Sequence, residues 1–277
     1  TERTAGTVVR SDPRKKTTEN FLRLHDISSE QKENEFIDTI SSKENNIQRS
    51  FRVALSEFKN IPRTPLCYST PDEVRRLHVR NIKMDADRAN VSGESVGDAL
   101  LGIVTGNKSR FIRYHWETSS SEFKPMASGG ANAWIIPQIT DSVEWGEDGK
   151  LVRRSPGVSR AMNDERYGEE GLTWTCIKET GRRFGYSPPG GLFSHNGPLF
   201  VPGRNISLWK LLAVFNSSLY HSLLLSITVE RNWNVGEVGA VPWIEEFESV
   251  NKLDKLAKEQ YKIKIRERTL NPISPYY

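Results

Sequence analysis

The chain has 277 residues, with 39 Lys and Arg against 35 Asp and Glu, a net charge of +4 and 36% hydrophobic content. That is enough for one large or two modest domains around a buried core, and the lack of heptads excludes a coiled-coil rod. The mild positive balance permits a polyanionic partner without demanding one, and the two cysteines, Cys67 and Cys176, form no metal or redox motif.

Residues 4–10 and 20–25 are β-prone runs flanking the basic turn Asp12-Pro13-Arg14-Lys15-Lys16 and predict a hairpin. A start inside a strand points to a piece of a longer protein. Residues 28–40 predict a weak surface helix and residues 51–55 a strand. Ile61-Pro62-Arg63-Thr64-Pro65, with two prolines, predicts a linker. Beyond it come a short strand at 66–68, a turn or helix opened by Pro71, a polar loop at 85–93 and an apolar run at 96–104. The alternation of residues 111–116 predicts a strand, 123–130 a loop, 134–136 a strand and 141–157 a hydrophilic stretch of turns. Residues 171–186 predict a hairpin, and 192–193 with 199–201 a further pair of strands. Leu208, Leu211, Leu212, Phe215, Leu219 and Leu223 recur at helical spacing, predicting one buried helix over 207–228 with Ser207 as its N-cap. Lys210, Asn216 and His221 interrupt that run and argue against a membrane span. Residues 232–241 predict loop and strand, and 250–268 a charged helix. The fold expected is mixed α/β (α+β), with a mainly β centre packed on the 207–228 helix. No leader opens the chain, so a cytoplasmic setting is expected.

Gly93-Glu94-Ser95-Val96-Gly97 matches the spacing of a nucleophile elbow, with Asp141 and His195 downstream. The elbow needs an apolar strand before the serine, and residues 85–92 are polar, so a hydrolase using Ser95 is the lesser reading. The five histidines show no metal-ligand spacing. No glycine-rich phosphate loop follows a strand, and Ser187-Pro188-Pro189-Gly190 lacks both the amine-binding side chain and the aromatic of an Asn-Pro-Pro-aromatic methyltransferase motif. Basic residues do sit beside aromatics and glycines on predicted loops: Lys108, Arg110 and Arg113 by Phe111, Lys124 before Gly129-Gly130, then Arg153, Arg154, Lys178, Arg182 and Arg183. Cations grip phosphates, glycines admit close backbone approach and aromatics stack or wedge. Trp134 and Trp174 could instead serve a glycan-binding module.

At these residues the chain resembles the large adenine-specific DNA methyltransferases of type IIG restriction–modification and of BREX (PglX-type) phage defence. Residues 105–113 with Trp116-Glu117 resemble that family's Thr-Gly-Asp-Asn-x-x-Phe segment. Residues 124–134 resemble its paired-glycine loop before a Trp, Gly171-Leu172-Thr173-Trp174-Thr175 its Gly-Ile-Thr-Trp-Ser strand, and 190–202 the run that follows. Residues 211–217 and 232–242 resemble its Leu-Leu-x-x-Leu-Asn-Ser helix and closing Asn-Phe-x-Val-Gly-Asp-Ile…Pro. The sequence departs from the pattern at Asn107-Lys108, at Asn132-Ala133 and at Ser187, where the family carries Asp-Asn, Arg-Lys and Arg.

The resemblance implies that 1–60 is the C-terminal tail of a Rossmann-like methyltransferase domain, its last strands. It implies a TaqI-like target recognition domain over 61–245 and a C-terminal helix over 246–277. The catalytic motifs and the S-adenosylmethionine site would lie upstream, with no cofactor and no catalytic residue on this chain. Partners would be double-stranded DNA and that upstream domain, with no membrane. Lys124, Arg153, Arg154, Lys178, Arg182 and Arg183 would grip phosphates. The 105–111 loop, with Thr105, Gly106, Asn107, Lys108 and Arg110, and the Gly129-Gly130 loop would read or wedge bases, and Trp174 would also belong to the DNA-binding set.

Overall fold

The structure, a computed structural model, describes residues 18–41, 49–129, 134–137, 139–178, 183–229, 231–272 and 274–275. The expected strand at 4–10 and its basic turn lie outside them. Two compact units divide the chain, Thr1–Val79 and Arg80–Tyr277, so the two-proline segment falls inside the first unit rather than at its edge.

In the first unit β1 (Thr18–Leu22) pairs antiparallel with β2 (Ser50–Ala54), placing Phe21 opposite Phe51. Phe21 stacks on Tyr68 at 4.9 Å and meets the edge of Phe58 at 5.6 Å, which gives this small unit an aromatic core. Helix α1 (Lys32–Ser41) buries no residue, as its sparse apolar positions predict, and α2 (Asp72–Arg80) starts just after Pro71.

The second unit holds two four-stranded sheets. The first has the order β3 (Gly97–Leu100), β10 (Leu199–Pro202), β7 (Gly171–Trp174), β8 (Phe184–Ser187), antiparallel throughout. The second has β4 (Ile112–Tyr114), β6 (Asp141–Glu144), β5 (Phe123–Ala127) and β9 (Leu192–Phe193), the last pairing parallel to β5. The predicted hairpin is therefore β7–β8. The predicted pair 192–193 and 199–201 is split, one strand in each sheet.

The long helix is two helices, α6 (Leu208–Phe215) and α7 (Ser218–Ile227). Ser207 caps the first, its hydroxyl accepting from Trp209 N at 3.3 Å. The break has a local cause: Ser217 is extended and its hydroxyl accepts from Tyr220 N, starting a second helix. Asn216 turns inward and donates to the carbonyls of Phe184 and Leu212. Phe215 packs edge-on against Phe184 and Phe200, so this face covers the first sheet as its apolar period demands. Lys210, also buried, donates to Glu248 O and lies 3.7 Å from Asp254 of α9 (Lys252–Thr269), tying the two helices together.

Three stretches expected as loop or strand form short helices or a new strand. Asp85 caps α3 (Ala86–Ala89) through one carboxylate oxygen, while the other accepts from Ala99 N at 2.7 Å. The Asn234 N–H donates to Glu237 and opens α8 (Val235–Ala240). Residues 123–127 are β5, and residues 134–136 keep only one bridge, Ile135 to Gly185. Such caps and pairings use polar groups that sequence reads as loop.

Lys83 lies beside this region, bridging Ser95 and Pro242 through its backbone. Its ammonium is buried and donates to Asn81 O, and burial brings its pKa down from 10.5 to about 8. A base that is harder to protonate folded than unfolded costs stability wherever both forms would carry the proton. That cost is complete below about pH 8 and fades as pH rises toward 10.5. Denaturant midpoints should therefore rise over this window, and Lys83→Met should flatten the rise while stabilising the protein at pH 7.

Candidate nucleic-acid interface

Beneath the predicted contact residues lies a small core made of Ile103, Phe111, Met126, Val143, Trp145, Val152 and Leu192. Three of these anchors, Phe111, Met126 and Val152, have exposed cations near them in the chain. Phe111 ends α4 (Lys108–Phe111), leaving Lys108 and Arg110 in water, with Arg110 lying over the Phe111 ring at 4.9 Å. Val152 lies in α5 (Gly146–Arg154), whose first turn passes through left-handed Glu147, Asp148 and Gly149, and Arg153 and Arg154 follow it. Met126 is two residues beyond exposed Lys124 on β5.

Gly106 has φ +68° and is exposed, and a Cβ on it would lie 3.3 Å from Ser159 N. Asn107 caps α4, its side chain accepting from Arg110 N at 3.1 Å. Val104 and Arg160 exchange two backbone hydrogen bonds of 2.9 and 2.8 Å, and the Ser159 hydroxyl donates to Val152 O. These contacts draw the 104–108 turn against the end of α5, although some 50 residues separate them. Lys108, Arg110, Arg154 and Arg160 are thus carried on adjoining backbone. Among the described residues none of Lys108, Lys124, Arg154 or Arg160 makes an ion pair. Arg160 was missed by sequence reasoning because no aromatic or glycine flanks it.

Other predicted residues hold different positions. Arg153 is engaged by Asp148 at 3.5 Å and Asp164 at 2.6 Å, and its hydrogen bond holds the Asp164 carboxyl below the usual range. Gly129, half-buried with φ +75°, is needed for close approach, since a Cβ would meet Asn196 O at 2.5 Å. Thr105 is buried, and Lys178 is half-buried with its carbonyl accepting from Arg183. Gly130 and Arg182 lie outside the described residues.

Two of the expected contact residues are packed in the core. Trp174 is 0% exposed, its indole N–H donating to Trp233 O at 2.7 Å. Arg183 is also 0% exposed. Its guanidinium lies 3.8 Å from the Trp233 ring and donates to the carbonyls of Thr175, Cys176 and Lys178. An apolar cage has taken the arginine because its five donors can satisfy several carbonyls at once.

Ser95, Asp141 and His195 share no hydrogen bond. The Ser95 hydroxyl accepts from Ala86 N at 2.9 Å, and His195 turns to Ile103 O. Ser95 also precedes β3 instead of following a strand, the reverse of an elbow. Ser187-Pro188-Pro189-Gly190 is the end of β8 and a turn, with Ser187 buried and paired to Gly171. Among the described residues no group of three or more His, Cys, Asp or Glu is placed to hold a metal, and no helix is long and apolar enough to cross a membrane.

The class defined by these features is a mixed α+β body in which exposed cations, Lys108, Lys124 and Arg154 among them, flank a small apolar core. No protein-family model matches the chain. It is similar to the adenine-specific methyltransferase BrxX of Escherichia coli O9:H4 (strain HS), being 26% identical over 257 residues, which cover 88% of this chain. The chain spans about a fifth (19%) of the length of that curated relative.

Proposed function

We propose that this chain is the DNA-binding target recognition region of an S-adenosylmethionine-dependent adenine-N6 DNA methyltransferase from a restriction–modification or phage-defence system. Methyl transfer and cofactor binding would belong to another segment of the same protein. Similarity to an adenine-specific methyltransferase over 88% of the chain, in a chain that spans 19% of that relative's length, supports this division of labour.

The observation that carries the reading is the gathering of Lys108, Arg110, Arg154 and Arg160 by the 104–106 to 159–160 contact. Exposed, unpaired cations on fixed backbone keep their charge for a partner and lose little freedom on binding it. Phosphates release counterions when they meet such groups. An adenine inside a duplex cannot present N6 to a methyl donor, so a region that grips the backbone also helps extrude the base. Lys124 extends the grip along β5.

Duplex binding measured against salt tests this. Replacing Lys108, Arg110, Arg154 and Arg160 by Ala should weaken all duplexes alike, and each lost phosphate contact should lower the salt slope by about one unit. Replacement of Arg153, held by two aspartates, should change the slope less. A fourfold variant that binds duplex with unaltered affinity and slope would remove the proposal's basis.

A further inference from the structure

Tyr114 and Trp116 are large aromatic residues that the fold leaves in water, each retaining about half of its surface (49% and 50%). Their rings stack at 4.6 Å and 13°, and the His115 ring stands nearly perpendicular to Trp116 at 4.9 Å and 82°. The pair is held rigidly. Glu117 N donates to Tyr114 O at 2.9 Å, Tyr114 N donates to the Glu117 carboxylate at 2.8 Å, and His115 N donates to Thr140 O at 2.8 Å. The Arg113 guanidinium braces the same stretch by donating to Ser109 O and Ile112 O.

Other exposed apolar side chains of this unit, such as Leu225 and Val229, form no such ordered stack. The aromatic cluster of Tyr186, Trp209 and Tyr261 joins β8, α6 and α9 and serves packing between those elements. Among the described residues the 114–116 pair makes no ring contact with another element. It leaves a ready-made stacking surface within ten residues of Lys108 and Arg110, on the same run of backbone.

We propose that Tyr114 and Trp116 form a stacking platform for an unpaired nucleobase, such as one displaced when the duplex is opened. The inference rests on the DNA-binding reading above and adds a site to it. Near-parallel rings of this separation extend by a third flat ring with no rearrangement. Every base has such a face, so the site is tolerant of sequence. The neighbouring cations hold the phosphates on either side, and the Tyr114–Glu117 turn has already fixed the ring positions.

The test uses the whole 277-residue chain and three labelled probes followed by fluorescence anisotropy: oligothymidylate, an abasic strand of equal length, and a mixed-sequence duplex. The native protein should bind oligothymidylate about tenfold or more tighter than the abasic strand, because only the bases stack. Trp116→Ala, and more fully Tyr114→Ala with Trp116→Ala, should erase that preference, while Trp116→Phe keeps most of it. The double variant should retain its melting temperature and the salt slope on duplex. A preference that survives the double variant, or one never present in a native protein that binds duplex, overturns the platform and leaves the phosphate grip standing. A native protein that binds none of the three probes overturns both.

Discussion

Trp174→Ala should lose about 3–5 kcal/mol of stability, the cost of removing a fully buried indole from a well-packed sheet. The residue lies on β7, where all four strand positions are buried. Its ring contacts Phe184 at 5.7 Å, and Phe184 in turn meets Phe215, Tyr220 and Trp233. Truncation would leave a cavity among rings that cannot collapse together, and would also strip Trp233 O of its donor. Trp174→Phe keeps most of the volume and should lose far less, mainly the hydrogen bond, at about 1 kcal/mol. Urea unfolding of the two variants measures both losses. If Trp174→Ala were as stable as the native chain but bound duplex weakly, the indole would belong to the interface after all.

Arg183→Ala should cost roughly 3 kcal/mol, because three carbonyls lose their donor and the Trp233 face loses its cation. Arg183→Lys should recover little of this. A single ammonium cannot serve carbonyls at 175, 176 and 178 together, and it is more costly to strip of water. The neighbouring Cys176 offers a direct readout. Burial, reinforced by Glu237 and partly offset by Arg183, pushes its thiol up to about 12, so in the folded chain it should resist alkylation at pH 8. In Arg183→Ala the rate of Cys176 labelling should rise as the β7–β8 end opens, with the salt slope of DNA binding unchanged. A slope that fell by one unit with stability intact would return Arg183 to the phosphate-binding set.

These two residues show where sequence reasoning reached its limit. Arg183 follows Gly181 and Arg182 in sequence, and two adjacent arginines beside a glycine look like a cationic cluster whether or not one of them folds inward. Its burial depends on Trp233, 50 residues later, supplying a ring for it to lie on. Trp174 carries the same ambiguity, since a strand residue flanked by threonines can face core or partner. Tyr114 and Trp116 were passed over for the opposite reason. Their alternation with Arg113 and His115 reads as a half-buried strand, but β4 ends at Tyr114 and a turn lifts both rings into water.

The local signals carried through. The apolar period of 207–228 marked the helical layer and Ser207 its start, and the turn-forming residues of 171–186 marked the hairpin. The mixed α+β class followed from these, because periodicity and caps are properties of contiguous residues. What only the tertiary structure decided is which distant segments meet and which side chains the core claims. Val104 meets Arg160, Gly129 meets Asn196 and Arg183 meets Trp233 through contacts between distant segments. Sequence determines that such residues are polar, small or aromatic. Their exposure is settled by long-range packing, which fixes which atoms remain in water.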